Sequence, residues 1–282
     1  MNLTAAIGRY PHTEGLLSGA LTHPGLHLNF ADMPVISRAF APMVRAARFD
    51  VSEMAIGTFL QARAYGKPLV LLPVVMAARF QQSALLCRAD GPVAGPADLA
   101  GRRVGVRAYS QTTGLWLRGI LADEYGVRPE AVQWVTFEDA HVPEYQDPAW
   151  AERAPPGADL LAMLRGGDID AAIFGAETPS DPALRTVFPD PAAAADAFWR
   201  RHHLVPINHM VCIRRSLAEA EPGLVAQFVP LLQQGPFPTT RAALEPAIGL
   251  ALRYMHEQGM LPRPLRLDEV WDGLPPGIGE SP

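Results

Sequence analysis

The chain has 282 residues, of which 49% are apolar and 19% charged, with a formal net charge of −5. That length suits two domains, and the apolar share suits sizeable cores. The acidic balance and the lack of a basic stripe argue against nucleic acid as a partner, and no run approaches the ~18 apolar residues of a membrane span. Lys67 is the only lysine, so a Schiff-base or P-loop lysine would have to be Lys67. Cys87 and Cys212 stand far apart in apolar runs, which excludes a cysteine-rich metal site and reads both as small buried hydrophobes. Residues 1–10 lack the basic stretch and apolar core of a secretory leader, so the expected location is cytoplasmic.

A strand is predicted at 3–7, then the polar loop Arg9-Tyr-Pro-His-Thr-Glu14, and a second strand at 26–30 after the turn His23-Pro-Gly25. Helical spacing covers 34–48, interrupted or restarted at Pro42. Strands are predicted at 49–51 and 69–75 with a helix at 58–65 between them, an alternation that implies a mainly parallel sheet. Ser52, Glu53, Gly57 and Thr58 fall between strand and helix, where unpaired backbone N–H groups of a helix start can face a ligand.

A strand at 83–88 leads to the turn-rich Asp90-Gly-Pro-Val-Ala-Gly-Pro96. A strand at 103–107 and a helix at 112–125, stopped by Gly126, repeat the first design. Here Tyr109, Ser110, Thr112 and Thr113 supply the polar groups. A strand at 132–136, an irregular Pro-rich loop over 138–157, a helix at 159–165 and a strand at 170–174 follow. The chain then returns through a strand at 209–214. Helices at 217–220, 224–234 and 241–258 come next, and a Pro/Gly-rich tail at 272–282 is expected to be loose. The reading is an α/β protein of two lobes, 1–85 with 210–282 and 86–209. Two crossing strands carrying Cys87 and Cys212 join the lobes, and a small ligand sits in the cleft between them.

His12, directly after the first strand, and His209, at the start of the return strand, are candidate acid–base groups with Glu53. Thr13, Arg79, Tyr109, Ser110, Thr112 and Thr113 are the candidate ligand contacts. His202-His203 reads as a solvated helix end. Glu138-Asp139-Ala-His141 lies in a polar loop, and neither a zinc-helix spacing nor an EF-hand run occurs. No metal and no cofactor are expected.

Several motifs together resemble the 4,5-dihydroxyphthalate decarboxylases, which have the type II periplasmic-binding-protein fold. They are Asp50-Val-Ser-Glu-Met54, Ala97-Asp-Leu-Ala-Gly-Arg-Arg-Val-Gly-Val106, Trp116-Leu-Arg-Gly-Ile-Leu121, Asp123-Glu-Tyr-Gly-Val-Arg-Pro-Glu130, Gly167-Asp-Ile-Asp-Ala171, Val187-Phe-Pro-Asp190 and Pro206-Ile-Asn-His209. The chain departs from that pattern at Gln81 and Gln82, where the family carries Arg and His, and in the loop Gly175-Ala-Glu-Thr-Pro179. Arg79 or Arg107 is then left to meet a carboxylate. The resemblance implies a cofactor-independent decarboxylase acting on a small hydroxylated aromatic acid. Two alternatives stay open: a non-catalytic solute-binding protein of an ABC-transporter-like family, and another enzyme on the same scaffold.

Overall fold

The computed structural model describes residues 1–175 and 178–280. Ala176 and Glu177, in the divergent loop noted above, lie outside the described residues. The chain forms two α/β units, each with its own sheet. The first is Met1–Ala78, Ile207–Leu252 and Leu261–Pro282; the second is Arg79–Pro206 and Arg253–Met260. The changes of unit therefore fall at Ala78 and Pro206, ahead of the expected 85 and 209. The return of Arg253–Met260 to the second unit was not foreseen.

In the first unit the strands are β1 (Asn2–Ala6), β2 (His27–Phe30), β3 (Val51–Ala55) and β4 (Leu69–Ala78), joined by β11 (Ile207–Arg214) when the chain returns. Their order is β2-β1-β3-β11-β4. β1 is parallel to β2 and β3, whereas β11 runs antiparallel to β3 and β4. β3 is buried at every residue and β4 over its first eight, as expected of a sheet covered on both faces. Pro73 is tolerated within β4 because that strand is at the sheet edge. Its carbonyl accepts from Gln233 Nε2 at 2.8 Å. The core gathers Leu3, Val51, Leu72, Val74, Val211, Ile213 and Phe228. Asp50 locks three segments: it accepts from the Thr4 N–H and hydroxyl at 2.8 and 2.7 Å and pairs with Arg214.

Before the chain first leaves this unit it forms the helices α1 (Glu14–Leu17), α2 (Phe40–Ala46) and α3 (Ile56–Ala64). Pro42 sits in the first turn of α2, where its missing N–H costs nothing. The predicted strand at 49–51 is in fact β3 at 51–55, so Glu53 stands inside a strand rather than at a helix start. The N-cap of α3 is Ala55, which makes no side-chain cap.

The second unit holds β5 (Leu85–Arg88), β6 (Arg103–Val106), β7 (Gln133–Thr136), β8 (Ala151–Arg153), β9 (Ala171–Ile173) and β10 (Leu184–Thr186), in the order β10-β5-β9-β6-β7-β8. β8 and β10 went unpredicted. The entering strand again runs antiparallel to its neighbours, as β5 does against β9 and β10. Cys87 thus lies in a strand wholly within the second unit, and Cys212 lies mid-strand in the first unit's sheet. This corrects their placement on two crossing strands. Both thiols are free and buried, and burial pushes each pKa up, which leaves them unreactive.

The helices here are α4 (Thr112–Tyr125), α5 (Leu160–Gly166) and α6 (Pro191–His202). α6 starts at Pro191 behind Asp190, whose carboxylate accepts from the Ala193 N–H at 2.9 Å. Asp190→Ala is expected to lower stability by about 1 kcal/mol, read as a shift of the urea midpoint at constant slope. His202 is not solvated as expected. It packs on Phe198 with ring centroids 4.5 Å apart, and burial lowers its pKa.

The last helices are α7 (Arg215–Ala220), α8 (Pro222–Leu232), α9 (Arg241–Glu257) and α10 (Leu267–Val270). The chain passes to the second unit within α9. There Arg253 pairs with Asp123, and the Tyr254 hydroxyl donates to the same carboxylate at 2.9 Å. Gln258 accepts from Arg118 Nε at 2.8 Å and donates to the Leu115 carbonyl at 2.9 Å. Arg118 is 1% exposed and lies between the rings of Tyr109, at 4.0 Å, and Trp134, at 5.1 Å, where π faces offset part of its desolvation. Over 272–280 the tail is not loose; Ser281 and Pro282 lie outside the described residues. Asp272 pairs with Arg63 and Arg215, Ile278 is buried, and the Gly279 carbonyl accepts from the Arg241 N–H at 2.8 Å. No described helix is long and apolar enough to cross a membrane.

Candidate active site

Glu53 is the centre of the first unit's polar cluster and is fully buried. It pairs with Val211 across β3 and β11, and Ala55 pairs with His209. Glu53 and His209 are therefore diagonal neighbours on one face of the sheet. The register of β11 against β4 slips on both sides of His209, an irregularity of the kind that re-aims a side chain. His209 Nδ1 lies 2.7 Å from Glu53 Oε1. A carboxylate only accepts, so Nδ1 carries the proton and Nε2 is left for chemistry. Phe40 of α2 stands edge-on to the imidazole at 5.2 Å.

Two further donors reach the same carboxylate. The Tyr10 hydroxyl donates to Oε1 at 2.5 Å, and the Gly8 N–H donates to Oε2 at 2.8 Å. Three charge-assisted hydrogen bonds compensate the burial of this anion. Neither Tyr10 nor Gly8 was among the predicted site residues. The available signal was position, since both follow the carboxyl end of β1, the edge where open α/β sheets hold ligands.

His12 lies flat against Tyr10, with ring centroids 5.2 Å apart. One of its ring nitrogens bonds the Met76 backbone, whereas Nε2 is buried without a partner. Burial lowers its pKa, against the opposing pull of Glu53 and the Met76 carbonyl. The folded imidazole thus binds a proton less readily than the unfolded one, so this group removes stability as pH falls through about 6.5. Thr13 serves as a loop staple. Its hydroxyl donates to the Gly8 carbonyl and accepts from the Tyr10 N–H, each at 2.8 Å.

The second unit has its own polar group at the start of α4. Ser110, Thr112 and Thr113 are buried there, and the N-cap Gln111 makes no side-chain cap. Arg79 Nη2 reaches the Thr113 hydroxyl at 3.4 Å. Tyr109 takes another course. It is 0% exposed, donates to the Gln258 carbonyl at 3.1 Å and accepts from Trp150 Nε1 at 2.8 Å. That is a core role rather than a ligand contact. The Gln81 and Gln82 side-chain amides donate internally, to the carbonyls of Arg79 at 2.6 Å and Ala194 at 3.3 Å, and Gln82 Oε1 is buried without a partner. Arg107 lies 3.6 Å from Glu138. Among the described residues no three His, Cys, Asp or Glu converge as a metal set.

A pocket of about 390 Å³ also opens in the first unit, lined by Leu16, Leu21, Leu28, Phe30 and Leu231 with His23 and His27. It holds no carboxylate or arginine and lacks the Glu53 cluster.

Comparison with known proteins bears on both fold and chemistry. The NMT1/THI5-like family matches residues 37–149. The 4,5-dihydroxyphthalate decarboxylase of Comamonas testosteroni is 29% identical over 294 aligned positions, covering 96% of this chain and 86% of that protein. The Pseudomonas putida protein of the same name is 28% identical, over 71% of this chain and 82% of its own length. Among solved structures, the periplasmic aliphatic sulphonate binding protein SsuA of Escherichia coli superposes with a TM-score of 0.54 at 17% identity, covering 98% of this chain and 84% of that one. SsuA of Xanthomonas axonopodis pv. citri, bound to MOPS, gives 0.53 at 15%, with the same coverage. The expected type II periplasmic-binding-protein-like fold is therefore the fold of this chain, and its sequence is similar to the dihydroxyphthalate decarboxylases over most of its length.

Proposed function

We propose that the chain is a cofactor-independent decarboxylase of a small hydroxylated aromatic acid of the 4,5-dihydroxyphthalate kind. The observation that carries this is the buried Glu53 carboxylate holding His209 by Nδ1 at 2.7 Å. A sheet that only bound a solute would have no need of an oriented carboxylate–imidazole pair. The two decarboxylase relatives supply the reaction class.

The chemistry follows from the substrate. A hydroxyl para to a carboxylate pushes electrons onto the ring carbon that bears it. His209, protonated at Nε2, delivers a proton to that carbon and gives a dienone-like intermediate. The carbon–carboxylate bond then breaks, its electrons restore the aromatic ring, and carbon dioxide leaves. The phenolic proton passes to solvent as the dienone forms, the phenolate left by loss of carbon dioxide takes a proton back, and solvent recharges the imidazole with the one proton that the reaction consumes. Glu53 touches no reacting atom. It holds the tautomer and stabilises the imidazolium, a different role from the acid–base group expected of it from sequence. His12 is proposed as a second acid–base group, because its buried Nε2 has no partner within the protein. Thr13 is proposed to hold the loop that presents it. Arg79, Ser110, Thr112 and Thr113 are proposed ligand contacts in the second unit, suited by charge and hydroxyls to an anionic oxygen.

A thermal-shift panel of hydroxylated benzoates, phthalates and alkanesulfonates tests the ligand class. A ligand at a hundred times its Kd adds about 2.7 kcal/mol. The hydroxylated aromatic acids are expected to raise Tm and the alkanesulfonates to leave it unchanged. A rise with sulfonates alone would redirect the assignment to solute binding.

A further inference from the structure

Taking His209 as the acid–base group, we propose that Tyr10 is a positioning residue that sets how tightly His209 holds its proton, by competing with it for one oxygen of Glu53. Both donors converge on Oε1, the phenol at 2.5 Å and Nδ1 at 2.7 Å. An O–H at that distance draws on the same negative charge that would otherwise stabilise an imidazolium. The neutral imidazole depends on that charge far less. Each further donor on Oε1 therefore tips His209 toward giving up its proton.

Position 8 builds this competition into the backbone. A Cβ there would come 2.8 Å from Tyr10 Cε2 and 2.9 Å from Glu53 Oε2. Only glycine lets the ring and the carboxylate close on each other while its own N–H bonds the second oxygen. Phe40 flanks His209 from α2, and β4 sets Ala77 and Ala78 beside the start of β11. Two titratable groups touch the carboxylate, Tyr10 and His209, and its charge also acts on His12.

The functional consequence is a stronger acid. A lone buried carboxylate would hold the imidazolium so firmly that it donates reluctantly. Sharing the carboxylate with a phenol weakens that hold and makes the imidazolium a readier donor.

The test is a pH titration of the histidine ring protons by NMR in the ligand-free protein, with His209 identified by the signal lost in His209→Gln. Tyr10→Phe keeps the ring and removes the donor, and is expected to move the His209 midpoint upward by about one pH unit. A 3-fluorotyrosine placed at position 10 is a more acidic phenol and a stronger donor, and should move it downward. The acid limb of the rate profile should follow in each case. A midpoint that stays put in both folded variants, or moves in the opposite directions, overturns the proposal. Because the titration needs no substrate, its outcome is separate from the decarboxylase reading. Movement without turnover would sink that reading alone, and turnover without movement would sink this one.

Discussion

His209→Gln is expected to lower kcat for a hydroxylated aromatic acid by about 10²–10⁴-fold, the usual range for loss of a positioned acid–base group. Glutamine can still donate a hydrogen bond to Glu53, so the buried carboxylate keeps a partner in addition to Gly8 and Tyr10. It cannot carry a proton to carbon. Melting temperature should therefore change little while turnover collapses. KM should change less than kcat, because the lost interaction belongs to the transition state. A purely structural His209 predicts the reverse, with stability lost and turnover kept. Parallel measurement of kcat, KM and Tm on the variant decides between them.

Gly119→Ala should produce the largest loss of stability. A Cβ at this position of α4 would sit 2.1–2.3 Å from three ring atoms of Tyr254. Tyr254 cannot step aside. It is fully buried, its hydroxyl is held by Asp123 at 2.9 Å, and its ring meets Trp116 edge-on with centroids 6.0 Å apart. The expected cost lies at the upper end of the overpacking range, about 3 kcal/mol, or a Tm lower by roughly 6–12 °C. Tyr254→Leu in the same chain should recover part of it, because the two changes share one contact. An additive double variant would show that the notch at Gly119 is not what seats the end of α9.

Both expectations rest on features that the sequence showed unevenly. The helix over 112–125 was legible because its signals are local, with an apolar face and a glycine that ends it at φ 68°. β10 was not legible, since its three residues are all half-buried and give no alternation. The tail misled because Pro and Gly mark turns whether or not a fold tethers them. Its order comes from Arg63, Arg215 and Arg241, all distant in sequence. Glu53 and His209 were named from their types and positions, but Asp50, Ser52 and Glu53 look like a turn. A carboxylate can occupy a buried strand only with donors nearby, and here they come from Gly8, Tyr10 and His209. Tyr109 shows the opposite failure. A tyrosine before a helix start reads as a ligand contact, and only the return of Gln258 reveals that its hydroxyl is used inside the second unit.

The central claim is that the Glu53–His209 pair drives loss of carbon dioxide from a ring carbon. The most direct measurement uses 4,5-dihydroxyphthalate labelled with carbon-13 in its carboxylates, incubated with the metal-free protein in deuterated water. The account predicts labelled carbon dioxide, together with a product carrying one deuterium at the vacated ring carbon, from the wild-type chain and almost none from His209→Gln. Binding of the labelled acid with no carbon dioxide released, or release at equal rates from the two proteins, would contradict it.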